Sequence, residues 1–394
     1  MSTIKIALPT ILIDSTSNKM IHRKKNYKEN FVKHSLKHSV FLIFLSSLSL
    51  KSDTTLKEYA DNSNVFVSSP LYTIDTQFRA LFVKPNTSNL SYAAEAFPFN
   101  QNIATPVFSP RWELFDLHPK YSFGFDLAIR GILHSQGSNI ALNWEHFSSS
   151  TSATHSAATN DMVGPLSSIG PDAAPYTKAR GKVHLAFNEM NIHYGQYVEI
   201  GTYLHINLFS GVSFARVKQK LTSLYSNGTA DTSRTTTVPS LFTGAGPQCG
   251  FDCTYSLGNG LNFIGQARAA LLMGKTTNHT NYTSTSPLLI ETGNPAVNLQ
   301  SIRENGGRTQ MIPSFSERLG IAYFYSSCNY AMVKIEAGWE AKILFNAIQS
   351  NDMGSGVIDV TPQLNTVGVF ARTFHRTLSN FSFGGPYVGF NIAF

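Results

Sequence analysis

Residues able to do chemistry are scattered in this sequence, and their spacing forms no catalytic or cofactor-binding motif. Gly244, Gly246 and Gly250 come near a dinucleotide fingerprint, but the spacing is wrong and no helix is predicted after them. His34 and His38 have the spacing of a helical metal pair, but they lie in a basic leader. Because there is also no nucleophile elbow, phosphate-binding loop or close carboxylate pair, the sequence predicts no enzyme, no cofactor and no metal site.

The other histidines and the cysteines are expected on strand faces. Three histidines are predicted to face a pore or its rim rather than a metal ion, namely His184, His193 and His205. Cys249 and Cys253 would lie about 13 Å apart along a strand, which is too far for a disulfide. Pairing of Cys328 with either one depends on the fold, so its state stays open.

Strands with two different faces must position these residues. In the segment 331–345, apolar residues such as Ile335 and Trp339 alternate with Lys334 and Glu336, a period of two. In the segment 315–325, Glu317 would lie on the same face as Leu319 and Ile321, so a bulge or rim position is expected there. Ten such strands are predicted, at 71–84, 120–132, 139–147, 183–194, 203–216, 242–255, 261–273, 315–325, 331–345 and 381–394, and missed strands, with 366–376 as a candidate, would raise the count to twelve.

The connections between these strands alternate strictly between short and long. The long ones, such as 148–175 and 275–300, are rich in Ser, Thr and Asn. Tight turns at one end and long loops at the other are typical of an all-β transmembrane antiparallel up-and-down barrel, with short periplasmic turns and long extracellular loops. A secreted β-sandwich is the alternative. It is less favoured because the opposing faces are rich in Gly, Ala, Asn and Ser, while the apolar faces are crowded with aromatic residues.

The charge distribution excludes a nucleic-acid partner. Charged residues make up 14% of the chain, against about 25% in soluble domains. Of the formal net charge of +7, residues 1–49 contribute +6, from eight Lys or Arg against two Asp or Glu. The remainder is nearly neutral, and a DNA-binding protein would need a basic stripe on its folded part.

The N-terminal region is expected to be a leader. A basic segment precedes the apolar run Ser39–Leu50, which is too short to span a bilayer and fits a secretory signal peptide. The predicted organisation is a leader at 1–49 with Met20 as an alternative start, a periplasmic segment at 50–70 and a barrel at 71–394. A buried helix after an irregular leader is the alternative for the apolar run.

Charged and amide residues on the second face of each strand are predicted to line the lumen. Scattered charges of both signs, in a barrel too narrow for an open porin, predict low conductance and weak ion preference. The pore-lining candidates are Asp75, Gln77, Arg79, Asp126, Arg130, Asn143, Glu145, His205, Asn207, Gln266, Arg268, Lys334, Glu336, Glu340 and Lys342.

Several stretches in chain order resemble the pore-forming major outer membrane proteins of Legionella and its relatives. They include "FRALFVKPNTSNLSYA" (78–93), "YGQYVEIG" (194–201), "IEAGWEAKILFNAI" (335–348) and the tail "FGGPYVGFNIAF". The resemblance covers 71–394 and implies a barrel in the outer membrane of a Gram-negative bacterium that passes small solutes. It carries no catalytic residues.

Three functions follow from this sequence as hypotheses. The preferred one is a porin-like pore for passive diffusion of small hydrophilic solutes. The alternatives are a plugged structural or adhesive barrel whose extracellular loops bind host or neighbouring molecules, and a rim enzyme. Expected partners are outer-membrane lipid and lipopolysaccharide, the barrel assembly machinery through the strand ending in Phe394, and, as an open question, further copies of the chain.

Overall fold

The computed structural model describes most of the chain after residue 71, as strands and their connections. No helix among the described residues is long and apolar enough to cross a membrane. The predictions for 1–71 and for Cys328 lie outside the described residues. Those residues are 72–88, 90–97, 111–133, 137–157, 162–164, 176–226, 233–285, 298–327, 331–361 and 366–394.

Ten strands close into one antiparallel barrel. The strands of the described residues are β1 (Tyr72–Thr87), β2 (Ser91–Phe97), β3 (Arg111–Asp116), β4 (Ser122–Leu133), β5 (Ser138–Ser156), β6 (Met162–Gly164), β7 (Lys178–Ile200), β8 (Leu204–Ser226), β9 (Ser233–Gly258), β10 (Leu261–Thr285), β11 (Asn298–Ser327), β12 (Ala331–Thr361) and β13 (Thr366–Ala393). The wall runs β1-β13-β12-β11-β10-β9-β8-β7-β5-β4, and β4 pairs with β1 to close it. The predicted up-and-down barrel is confirmed, and 366–376 belongs to β13 rather than adding a strand.

The two ends of the barrel differ in their connections. At one end β7 and β8 are joined by the turn 201–203, and β9 and β10 by the turn 259–260. At the same end Ile74 and Phe394 exchange two backbone hydrogen bonds of 2.9 and 3.1 Å, which close the seam at the last residue. Because short turns mark the periplasmic side of membrane barrels, the opposite end is extracellular.

Several strands continue beyond their predicted ends on the extracellular side. The predicted loops 148–175 and 275–300 are partly strand, since β5 continues to Ser156 and β10 to Thr285. Both faces of a strand meet water beyond the hydrocarbon, so alternation disappears there while Ser and Thr still favour pairing. The bulge or rim position expected at Glu317 is also wrong. The strands β11 and β12 pair without a register shift from Ser314 to Ser327, and Glu317 pairs with Ala267, midway along the outward row of β10.

The predicted apolar rows face outward. Trp144, Trp339 and Phe390 remain 45%, 52% and 43% exposed although neighbouring strands flank each of them. On β10 the outward row runs from Leu261 to Met273, twelve residue steps. That length corresponds to roughly 30 Å of height at a strand tilt of about 40°, which matches the hydrocarbon thickness of a bilayer, about 30 Å.

A second, three-stranded sheet packs against the inner wall near the extracellular end. Its order is β3-β2-β6. The Tyr225 hydroxyl of β8 donates to the Tyr92 carbonyl of β2, and His155 Nε2 of β5 lies 2.8 Å from Glu95 Oε2. The Tyr92 ring occupies the space beside Gly181, where an added Cβ would lie 2.5 Å from the ring. The inner wall therefore carries a notch that only glycine leaves open.

Candidate functional site

All fifteen predicted pore-lining side chains lie on the inward face of the wall. Seven meet at the centre of the lumen, namely Arg79, Asp126, Glu145, Arg268, Glu336, Glu340 and Lys342. Six surround or adjoin a polar cavity nearer the periplasmic end, namely Asp75, Gln77, Arg130, Asn207, Gln266 and Lys334. Asn143 is buried in the wall, and His205 lies near the periplasmic turn, 3.7 Å from Glu199 Oε1. Whether this set lines a conducting path stays a prediction.

Two arginines from different wall strands hold the central carboxylates. Arg79 of β1 contacts Asp126 Oδ2 at 2.7 Å through Nη1 and Glu336 of β12 through Nε. Arg318 of β11 reaches the same Asp126 oxygen at 3.0 Å and Glu340 Oε2 at 2.8 Å. Three wall strands separate β11 from β4 on the shorter way around, so the Arg318–Asp126 contact crosses the lumen.

The ion pairs of Lys342 span the lumen between strands on opposite sides of the wall. The Lys342 Nζ lies 2.5 Å from Glu145 Oε2 of β5 and 2.5 Å from Glu189 Oε2 of β7. Four strands separate β12 from β7 in either direction around the wall, so Lys342 and Glu189 are diametrically opposed. Arg268 of β10 adds a longer contact of 3.9 Å to Glu189.

These contacts form one layer of buried, balanced charge. The ion-pair layer comprises Arg79, Asp126, Glu145, Glu189, Arg268, Arg318, Glu336, Glu340 and Lys342, and each of these residues is less than a tenth exposed. Removing a charge from water costs several kcal/mol unless a partner compensates it. Four cations and five carboxylates, with Lys334 Nζ also 2.6 Å from Glu336 Oε2, satisfy that condition across the lumen.

A small polar cavity lies on the periplasmic side of the layer. It has a volume of about 90 Å³, enough for about three waters at roughly 30 Å³ each. Arg130 bridges Asp252 Oδ2 at 3.0 Å and the Tyr197 hydroxyl at 3.2 Å, and Gln266 donates to Asp252 Oδ1 at 2.6 Å. This part of the lumen is polar and suited to water and small ions.

An aromatic layer covers the other side of the ion pairs. It consists of Phe147, Phe187, Phe381 and Phe383, all fully or almost fully buried. Phe147 and Phe187 occupy the inward positions next to Glu145 and Glu189 on the extracellular side. The Phe187 and Phe383 ring centroids lie 5.2 Å apart across the lumen. Leu185, Val217 and the docked Tyr92 extend the same apolar cluster. The wet lumen expected from the sequence is therefore replaced, toward the extracellular side, by a packed core.

Sequence reasoning missed three charged members of the lumen. Glu189, Asp252 and Arg318 lie in predicted strands but are not among the predicted pore-lining residues. The alternation along each strand was the available signal. Arg318 is adjacent to outward-facing Leu319 and Asp252 to outward-facing Phe251, so both charged side chains must face inward.

The other chemical candidates remain isolated. Gly244–Gly250 is part of β9, and His193 packs on Phe209 at 4.4 Å inside the barrel. The predicted pore-facing position of His184 is wrong, because it shares the outward face of β7 with Met190. Cys249 and Cys253 are free thiols. Among the described residues, no three His, Cys, Asp or Glu side chains are placed to hold a metal ion.

With this geometry established, comparison with known families is decisive. A family model described as Legionella pneumophila major outer membrane protein precursor matches residues 69–394. The chain belongs to this family. It is therefore an outer-membrane protein of a Gram-negative bacterium, and the predicted resemblance is confirmed. No curated protein matches the chain.

Solved barrels are similar to the chain only at low sequence identity and low TM-score. The outer membrane protease OmpT of Escherichia coli has 12% identity over 84% of this chain and 99% of its own, with a TM-score of 0.41. A Pseudomonas aeruginosa FadL homologue has 6% identity over 82% and 90%, with a TM-score of 0.21. The Pseudomonas putida toluene transporter TodX has 8% identity over 83% and 90%, with a TM-score of 0.19. These scores are too low to transfer an activity.

Proposed function

We propose that this family member is a pore-forming protein of low conductance for small hydrophilic solutes, and that the described conformation is its closed state. The ion-pair layer is the observation that supports the proposal. Ionisable groups inside a membrane segment are costly and generally mark solute or ion pathways. A purely structural barrel would gain stability by filling the same space with apolar side chains.

The barrier at the ion-pair layer consists of wall side chains. Arg318 occupies its centre, with contacts to Asp126, Glu340 and Gln266. Rotation of that side chain would open a polar passage to the cavity beneath it without unfolding the wall. Balanced charge supports weak selectivity between anions and cations.

The aromatic layer favours a second candidate, a permanently closed barrel that presents its extracellular side to host or neighbouring molecules. A dry ring of phenylalanines resists hydrophilic solutes, since hydrophobic constrictions close pores by excluding water. The second sheet docked at the same end also fits a scaffold for binding. Neither candidate assigns the chain a catalytic role, and hydrolysis of peptide or ester substrates by the pure protein would contradict both.

Planar-bilayer recording distinguishes the candidates. The pore proposal expects small, infrequent openings from the wild type and larger currents from Arg318→Ser, which removes the crossing guanidinium. Glu317→Ser is the matched control, because it alters the neighbouring residue on the outward face and should leave the current unchanged. Silence from wild type and Arg318→Ser at all voltages, with both proteins folded, would support the closed scaffold instead.

A further inference from the structure

Basic side chains cluster on the outer wall just beyond the apolar belt, toward the extracellular end. On β8 the outward residues change directly from Phe214 to three cations. On β7 the outward positions 188, 186 and 184 separate Met190 from the first of three further cations, which lie farther from the belt. We call this group the basic patch. It consists of Lys178, Arg180 and Lys182 on β7, Arg216, Lys218 and Lys220 on β8, and Lys275 on β10, all of them exposed.

Among the described residues, no carboxylate lies on the outward face of the strands that carry the patch or of the strands between and beside β7 and β8. Every described outward position of β5, β7, β8, β9 and β10 lacks Asp and Glu. An ordinary solvated face mixes both signs. Since the chain after residue 49 has a formal charge of only +1, seven unbalanced cations in one place mark a strong local concentration of positive charge.

An open apolar groove lies directly beside the patch. Its volume is about 620 Å³, and its lining includes Trp144, Met190, Phe214 and Ala245, with Arg216 at one edge. Trp144, Met190, Phe214 and Ala245 occupy successive paired positions on β5, β7, β8 and β9. Ala245 is the small member of that row, so the wall is recessed between Phe214 and Met273 of β10.

We propose that the basic patch and this groove together bind lipopolysaccharide of the outer leaflet, with lipid A phosphates on Arg216, Lys218 and Lys220 and an acyl chain in the groove. The position supports this occupant, because on β8 and β10 the patch begins at the first outward position after the apolar row ends on the extracellular side. Charge complementarity supports it as well, since arginine and lysine bind phosphate by charge-assisted hydrogen bonds. A neutral phospholipid would use the groove and leave the seven cations without partners.

Binding of purified lipid A to the folded full-length barrel in detergent, measured by native mass spectrometry, tests the proposal. Basic side chains near a membrane surface contribute about a fivefold gain in affinity each. We therefore expect Arg216→Gln to weaken binding about fivefold and the triple variant Arg216→Gln, Lys218→Gln, Lys220→Gln about 100-fold. Lys84→Gln is the matched control, because Lys84 is an exposed, outward-facing lysine on β1 and should bind lipid A like the wild type.

The groove has its own test. Ala245→Phe fills the recess and should weaken binding several-fold, whereas Ala337→Phe, at an exposed outward alanine on β12, should not. Dephosphorylated lipid A and phosphatidylethanolamine should bind the wild type much more weakly than phosphorylated lipid A. Equal binding of dephosphorylated lipid A, an equal loss with Lys84→Gln, or displacement by millimolar inorganic phosphate alone would overturn the proposal. Each variant is first checked for faster migration in unheated than in boiled detergent gels, which reports a closed barrel.

Discussion

Removing Lys342 should destabilise the barrel more than any other single loss of a lysine from the lumen. The Lys342→Met variant keeps most of the side-chain volume but removes the cation that joins Glu145 and Glu189, both of them buried. Glu189 retains Arg268 at 3.9 Å. Among the described ion pairs, Glu145 retains no cation. Breaking a buried pair by removing one partner costs about 3–5 kcal/mol, and we expect a loss of that size in the free energy of unfolding.

The comparison variant is Lys334→Met. Lys334 is partly exposed, and its partner Glu336 keeps Arg79 and the amide of Gln77. A loss of about 1 kcal/mol or less is therefore expected there. Urea unfolding in lipid vesicles, followed by gel mobility and circular dichroism, measures both variants.

Neutralising the carboxylate left behind should reverse much of the effect. The double variant Lys342→Met, Glu145→Gln is expected to recover more than half of the lost stability, because the uncompensated charge is then gone. A cost for Lys342→Met below about 1 kcal/mol, or one equal to that of Lys334→Met, would show that the crossing contact does not form. It would then refute a lumen closed by ion pairs.

Three further predictions concern the wall and its seams. Brominated lipids should quench most of the tryptophan fluorescence, and Trp339→Phe should remove a large part of the quenchable signal, because Trp339 and Trp144 face outward; quenching by aqueous iodide instead would contradict the lipid-facing assignment. Gly181→Val should cost about 1–3 kcal/mol through overcrowding against the Tyr92 ring and expose the second sheet to protease at concentrations that leave the wild type intact. Deleting Phe394 removes both backbone hydrogen bonds to Ile74 and should lower the folded fraction recovered from the outer membrane, while Phe394→Tyr should retain it.

The wall could be predicted from sequence because lipid imposes a simple rule on it. Residues facing hydrocarbon are mostly apolar, with Glu317 of β11 as an exception, so the alternation in segments such as 331–345 is continuous and easy to recognise. That alternation also places each inward residue, which is why all fifteen lumen candidates face inward. The ends of the strands could not be predicted as well, because outside the bilayer the same strands lose the alternation of apolar and polar residues.

The interior could not be predicted to the same depth. Phe147 and Phe187 lie on the same strand faces as charged residues, and Phe381 and Phe383 lie on the same face as Asn391. An interpretation that gives each strand one apolar face therefore assigns these four residues no role. Their proximity depends on contacts between strands far apart in the wall, such as β7 and β13. The same holds for Lys342 and Glu189, which meet only because ten strands make a barrel narrow enough for one lysine to cross.

The low content of charged residues follows from where a barrel can place them. Over the hydrocarbon belt the outer surface tolerates few charges, and inside a narrow lumen each charge needs a partner of opposite sign. Only the outer face beyond the belt can carry unpaired cations, and there they remain available to the phosphates of the surrounding leaflet. Reversing a charge, or introducing one on the apolar belt, should therefore have a different consequence in each of three zones. In the ion-pair layer it should reduce stability, on the belt it should impair insertion, and in the basic patch it should change lipid binding while the barrel stays folded.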